Sequence, residues 1–268
     1  MKMNNIIVTG CSYSTKAGVL NPYPLLLKNY FNGEVINLAW PGQSNDTIIR
    51  NVKEEIRKGI TNTFFICQLT HLHRMAKFCS LNQKWVDFQP AIANPTPDLK
   101  DSEMRFDIKI FDVDAKSKTA SAYDGNIHGV SVYGATKPDD IAIEEFEMWK
   151  LINWYQDYLM YIYDEENEFK ELHYKLSELT TLVENNGNEI LYLYWPDTIS
   201  DKSLFKNNNF LSINGEYSLM RWSIKNNLTQ RHDTHLTSIG HVRLLNELSR
   251  YIKLDKFDKN KLINQFLL

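Results

Sequence analysis

Short apolar runs at 6–9, 35–39, 63–69 and 190–195 alternate with stretches in which apolar residues recur every three or four positions. The run at 63–69, Thr-Phe-Phe-Ile-Cys-Gln-Leu, is apolar at odd and even positions alike, the pattern of a strand covered on both faces as in parallel sheets. Before it, Ile48, Val52, Ile56 and Ile60 repeat at every fourth position and predict a helix, with Ser44, Asn45 or Asp46 as its cap. Pro22 and Pro24 open another helical piece through Leu25, Leu26 and Leu27. Strands alternating with helices predict an α/β domain built on a parallel sheet.

The rhythm breaks between about 82 and 134, where Pro90, Pro95 and Pro97 mix with alternating runs at 106–110 and 130–133. This segment reads as an insertion with one or two β-hairpins outside the parallel sheet, serving as a lid or an interaction surface. The stretch 139–185 is the most helical. Met148, Ile152, Tyr155, Leu159 and Ile162 keep the helical spacing, and Leu172, Leu176, Leu179 and Val183 continue it. Asn185-Asn186-Gly187-Asn188 is a left-handed helix stop. The Asn-rich stretch 206–214 reads as loop, and 236–252 as a closing helix. The aromatic residues Trp149, Trp154, Tyr155, Tyr158, Tyr161 and Tyr163 read as packing groups.

Length and composition narrow the class. The 268 residues, 43% hydrophobic and 24% charged, suit a single domain with an embedded insertion. A net charge of -3 gives no electrostatic case for a nucleic-acid partner or an acidic membrane surface. The first residues are too short an apolar run for a signal peptide, and no later run is long enough for a transmembrane segment. A soluble, cytoplasmic protein is expected. Cys11, Cys67 and Cys79 have no zinc-like spacing, so reduced thiols are expected.

Candidate chemistry sits at the two ends. Val8-Thr9-Gly10-Cys11-Ser12-Tyr13-Ser14 places Ser12 on the turn leaving the first strand, where an α/β hydrolytic enzyme holds a nucleophile. Near the other end, Asp233 and His235 precede the last helix, for which the Thr237 hydroxyl is a cap. A serine hydroxyl needs a base to take its proton, a group to orient that base, and donors for the oxyanion. His235 is the candidate base and Asp233 the candidate acid. Asp46 and Asp197 follow other turns at the same edge and are alternatives to Asp233. Backbone N–H groups at strand-to-helix turns suit the oxyanion, each worth about 3 kcal/mol in the transition state. Ser12 and Gly42 lie on two such turns.

Gly10-Cys11-Ser12-Tyr13-Ser14 resembles the first block, Gly-Asp-Ser-Leu-Ser, of the SGNH/GDSL hydrolases. The stretch Asn37-Leu38-Ala39-Trp40-Pro41-Gly42-Gln43-Ser44-Asn45 resembles their second block. Asp233-Thr234-His235-Leu236-Thr237, followed by Gly240-His241, is similar to their last. The likeness covers both ends of the chain but not its middle, and the Gly-Cys-Ser variant resembles a subgroup of phage and bacterial genomes. It implies a flavodoxin-like three-layer α/β/α sandwich with a short parallel sheet. It further implies Ser12 as nucleophile, His235 as base, Asp233 as acid, and the N–H groups of Ser12 and Gly42 as oxyanion hole. The implied activity is cofactor-independent hydrolysis of an acylated carbohydrate or another small ester.

The chain departs from that pattern at three points. Cys11 stands where the family has aspartate. After the third strand the chain reads Gln68-Leu69-Thr70-His71-Leu72-His73-Arg74, without the family's asparagine, so Gln68, His71, His73 and Arg74 are candidates for the missing oxyanion donor. Asp233 and His235 are one residue closer than the usual Asp-x-x-His. Three other readings stand beside this one. Cys11 is a rival nucleophile on the same turn. His71 and His73 with His232, Asp233 and His235 are materials for a divalent metal and a metal-dependent hydrolase. The chain also suits a hydrolase scaffold turned binding or structural protein, in a phage virion for example. His128, His173 and His241 read as surface or packing residues.

Overall fold

Strands β1 (Asn5–Thr9), β2 (Glu34–Asn37) and β3 (Thr63–Leu69) join a later strand, β7 (Glu189–Tyr194), in one parallel sheet. The strand order is β2-β1-β3-β7. The structure is a computed structural model that describes residues 3–15, 19–79, 84–92, 106–112, 154, 158, 161–199, 201–206, 209–230, 234–255, 257 and 262. Five α-helices stand among these residues: α1 (Tyr23–Tyr30), α2 (Asn45–Arg57), α3 (Glu165–Asn185), α4 (Leu219–Lys225) and α5 (Ser238–Leu248). None of the helices among the described residues is long and apolar enough to cross a membrane.

The strand period of two sorts the core into two layers. Ile6, Val8, Phe64, Ile66, Leu191 and Leu193 face one side, where they pack with Leu26 and Leu27 of α1 and Val242 and Leu245 of α5. Ile7, Phe65, Cys67, Ile190 and Tyr192 face the other, against Ile48, Val52 and Ile56 of α2 and Leu172, Leu176 and Leu179 of α3. Each fully buried Ile or Leu contributes about 1.5–3 kcal/mol. This is an α/β fold with helices on both faces of a parallel sheet, an arrangement compatible with three layers.

Local signals set the helix ends. Among the three possible caps of α2, Ser44 is the one whose side chain accepts from Thr47 N at 3.3 Å. Helix α3 stops at Gly187, whose φ is 68°. Gly187 N donates to Glu184 O at 2.9 Å and Asn188 N to Val183 O at 3.2 Å, the paired bonds of a Schellman end. Asn188 then joins two strand entries, accepting from Thr63 N at 3.0 Å and donating to Ile60 O at 2.9 Å. The closing helix is shorter than its apolar pattern suggests, and Thr237 caps it by accepting from Gly240 N at 3.1 Å.

One feature lies outside the sequence pattern, and another extends the expected hairpins of the insertion. The free edge of β7 is partly covered: Leu211 N donates to Tyr192 O at 2.9 Å, and Tyr194 bridges Ser218. Part of the expected loop at 206–214 is therefore strand-like, and α4 follows it unannounced. Strands β4 (Met75–Cys79), β5 (Lys84–Ile92) and β6 (Phe106–Asp112) form a separate antiparallel sheet in that order. It starts at Met75, ahead of the expected insertion. The expected run at 130–133 and the helical positions 139–153 lie outside the described residues.

The close approach of β1 to β3 constrains Gly10. A Cβ there would stand 2.8 Å from Gln68 Cβ and 3.0 Å from both Gln68 Oε1 and Ser14 Oγ. Gly10→Ala is expected to lower stability by about 1–3 kcal/mol, through the overpacking of a turn that has no room to shift. Urea unfolding of the two proteins measures it, with the loss read as a lower midpoint at unchanged slope.

Candidate active site

All the parallel strands end at one edge, and the turns that follow them build the site. In open α/β sheets the crevice lies where neighbouring connections leave toward opposite faces. Here that place is between β1 and β3, since α1, which follows β1, covers one face and α3, which the chain reaches after β3, covers the other. The turn after β1 enters a short 3-10 segment, Ser12–Ser14.

Gln68, at 1% exposure, organises that turn from the neighbouring strand. Its Oε1 accepts from Cys11 N at 3.2 Å, from Cys11 Sγ at 3.3 Å and from Ser14 Oγ at 3.3 Å. Its Nε2 donates to Leu69 O at 2.7 Å. Since Ser14 spends its proton on Gln68, the Tyr23 hydroxyl donates to Ser14 Oγ at 2.8 Å. Tyr23 N in turn donates to Nδ1 of His241 at 3.3 Å. A buried polar chain thus runs from α5 to the Ser12 turn.

The second turn is fastened to the first. Trp40 N donates to Gly10 O at 3.1 Å, and Asn37 Nδ2 donates to Ser14 O at 2.9 Å. Gln43 N donates to Trp40 O at 3.3 Å, and Gly42 has φ 86°. Pro41 at the second position and a positive φ at the third mark a type II turn, which favours glycine at position 42. A third tie reaches β3: Thr70 N donates to Asn45 Oδ1 at 2.9 Å, and Asn45 Nδ2 returns a bond to Thr70 O at 3.1 Å.

His235 arrives from the far end of the chain. Thr237 N donates to Leu228 O at 2.7 Å and Gln230 N to His235 O at 2.9 Å, closing a small antiparallel loop before α5. The loop presents Nε2 of His235 to Ser12 Oγ at 2.9 Å. For Ser12 to donate in this bond, Nε2 must be the unprotonated nitrogen. Tyr13 fills the space beside the imidazole. Its ring centroid lies 4.4 Å from that of His235 with a 30° tilt, and 3.7 Å from that of Trp195 with an 18° tilt. The Tyr13 hydroxyl shares a 2.9 Å hydrogen bond with Thr234 Oγ1. Burial pushes the Tyr13 phenol above its usual range, so it remains neutral.

The other candidates are distributed as follows. Cys11 is fully buried, its thiol directed at Gln68. The rings of His71 and His73 stack with centroids 5.2 Å apart. Burial, with Arg74 adding its charge, pulls His71 down to about 4 and His73 to about 3. Arg74 is 8% exposed and donates from Nη1 to Thr70 Oγ1 at 2.8 Å. Asp46 is engaged with Lys175 at 2.9 Å, and the exposed Asp197 gives its carbonyl to Arg221. Asp233 and His232 lie outside the described residues, as does His128. Among the described residues, no three His, Cys, Asp or Glu side chains gather where a metal ion could be held.

Sequence reasoning missed Tyr13, Trp195, Thr234 and the double role of Gln68. Trp195 follows a strand ending at the same edge, a signal that could have drawn attention to it. Compared with known proteins, the chain matches no family model and no curated protein.

Three histidines are expected to make the fold acid-sensitive. His241 is 2% exposed, and burial, then the nearby His235, pulls it down to about 3. In the unfolded chain it takes its proton near 6.5, so protonation favours unfolding. Stability should be full above pH 6.5 and fall as pH drops toward about 3, with His71 and His73 adding in the same direction. For His241 the slope reaches about 1.4 kcal/mol per pH unit. Urea midpoints between pH 7 and pH 4 read this, and His241→Asn, which keeps an acceptor for Tyr23 N, should flatten the dependence.

Proposed function

We propose that this chain is a serine hydrolase of the SGNH type, cleaving an ester of an acylated carbohydrate or another small alcohol through an acyl-enzyme. The observation that carries the reading is the 2.9 Å contact between His235 Nε2 and Ser12 Oγ at the carboxyl edge of a parallel sheet. The strand order, read as part of a flavodoxin-like sandwich, and the fastening of the Gly42 turn to the Ser12 turn support it.

In this mechanism His235 Nε2 takes the proton as Ser12 Oγ bonds to the carbonyl carbon. The carbonyl oxygen gains the charge, and the N–H groups of Ser12 and Gly42 receive it. The tetrahedral adduct collapses as His235 passes its proton to the departing alkoxide oxygen. Water, activated by the same imidazole, then releases the acid and regenerates Ser12. Asp233 is assigned the orientation of His235. The reaction requires no cofactor.

Reaction of the folded protein with a fluorophosphonate probe tests the assignment. Wild type should label once, Ser12→Ala not at all, and His235→Gln at a rate lower by about 10²–10⁴-fold. Folded wild type that stays unlabelled, or Ser12→Ala that labels as wild type does, would overturn the hydrolase reading. Ester cleavage surviving Ser12→Ala and lost to a chelator would replace it with the metal-dependent one.

A further inference from the structure

The imidazole at the Ser12 turn needs a fixed plane as well as a partner, because a base rotated out of line takes no proton. The described contacts of the His235 ring include a broad one with a residue that neither its chemistry nor its sequence motif singles out. Tyr13 follows the nucleophile directly. Its ring lies between the indole of Trp195, 3.7 Å away, and the imidazole of His235, 4.4 Å away. Trp195 is fully buried at the end of β7, so Tyr13 rests on a wall that does not move. The Tyr13 hydroxyl also holds Thr234, the residue before His235, at 2.9 Å. One side chain therefore fixes both the ring and the backbone that carries it.

We propose that Tyr13 is a positioning residue for the base, its ring setting the plane of the His235 imidazole and favouring the imidazolium that forms when Ser12 gives up its proton. The inference rests on the serine hydrolase reading. A cation within about 6 Å of an aromatic face is attracted by the ring's quadrupole, more strongly where water is excluded. The attraction exists only once the proton has arrived, so it is of the kind that lowers a barrier rather than tightening the resting state. Among the described residues, the titratable groups around the stack are the Tyr13 phenol, which faces His235, and His241 of α5, on which His235 acts; the Cys11 thiol and the Arg74 guanidinium act on the Tyr13 hydroxyl. Asp233, its neighbour in the chain, belongs to the undescribed residues.

Two variants separate ring from hydroxyl. Tyr13→Phe keeps the stack and loses the Thr234 bond, whereas Tyr13→Leu removes the stack. The readouts are the rate of fluorophosphonate labelling at Ser12, its pH profile, and the ¹⁵N-detected titration of His235. Tyr13→Phe should label more slowly by less than about tenfold, through the lost hold on Thr234, with an unchanged pH profile. Tyr13→Leu should label about 10- to 100-fold more slowly, with the His235 titration moved to lower pH. A folded Tyr13→Leu that keeps wild-type rate and titration would overturn the proposal. Wild type alone supplies a further check, since the Tyr13 face should displace the His235 ring protons upfield, and unshifted protons would overturn it even if Tyr13→Leu does not fold. Failure of the hydrolase reading looks different: wild type would not label, while the His235 titration would still report on Tyr13.

Discussion

Strand β1 is hydrogen-bonded along both sides, with Ile6 opposite Val35 of β2 and Phe64 of β3, and Val8 opposite Asn37 and Ile66. A strand held in this way cannot slide, because a slip of one residue would turn Ile6 and Val8 away from one core layer and Ile7 away from the other. The turn that follows inherits this fixity. It begins at Gly10, where the backbone has no space for a side chain, and continues under the Gln68 carbonyl. The position of Ser12 is therefore set by the register of the sheet.

Several polar groups on and behind that turn are buried and hydrogen-bonded to one another. Removing a partner from a buried hydrogen bond costs about 1–3 kcal/mol, whereas making the bond gains less, so a filled network is rigid chiefly because every alternative leaves something unmet. Gln68, Ser14, Tyr23 and His241 form one such network, and Asn45 with Thr70 another. Both tie helices to the ends of strands. Rigid elements behind a turn are what a chemical site requires, since small displacements of a nucleophile or base cost large factors in rate. On the reading proposed above, the residues that hold Ser12 and its turn in place belong to the fold's own polar core.

The two sheets have different characters. The parallel one has helices on both faces and short strands with mainly apolar middles. The antiparallel one, β4 to β6, has register partners such as Phe88 with Met75 and with Ile110, and it enters the chain between β3 and α3. The chain thus completes three strands of its parallel sheet, makes a separate excursion, and returns for the fourth.

Much of this was legible in the residues. The four parallel strands, the helices α2 and α3, the stop at Gly187 and the cap at Thr237 follow from local period and local capping, which the chain carries wherever it folds. Ser12 and His235 were legible as chemical types on the right turns. The bridge at Tyr194 and the helix α4 were not, because a segment that covers a strand edge needs no period of its own. The sequence by itself determined the four parallel strands, the helices α2 and α3, and which side chains are of a type able to do chemistry. Only the tertiary structure decided that Ser12 meets an imidazole 223 positions away, that Gln68 faces the first turn, and that Tyr13 lies between Trp195 and His235. Those pairings depend on how layers stack at one sheet edge, and no spacing along the chain encodes a contact between side chains that far apart.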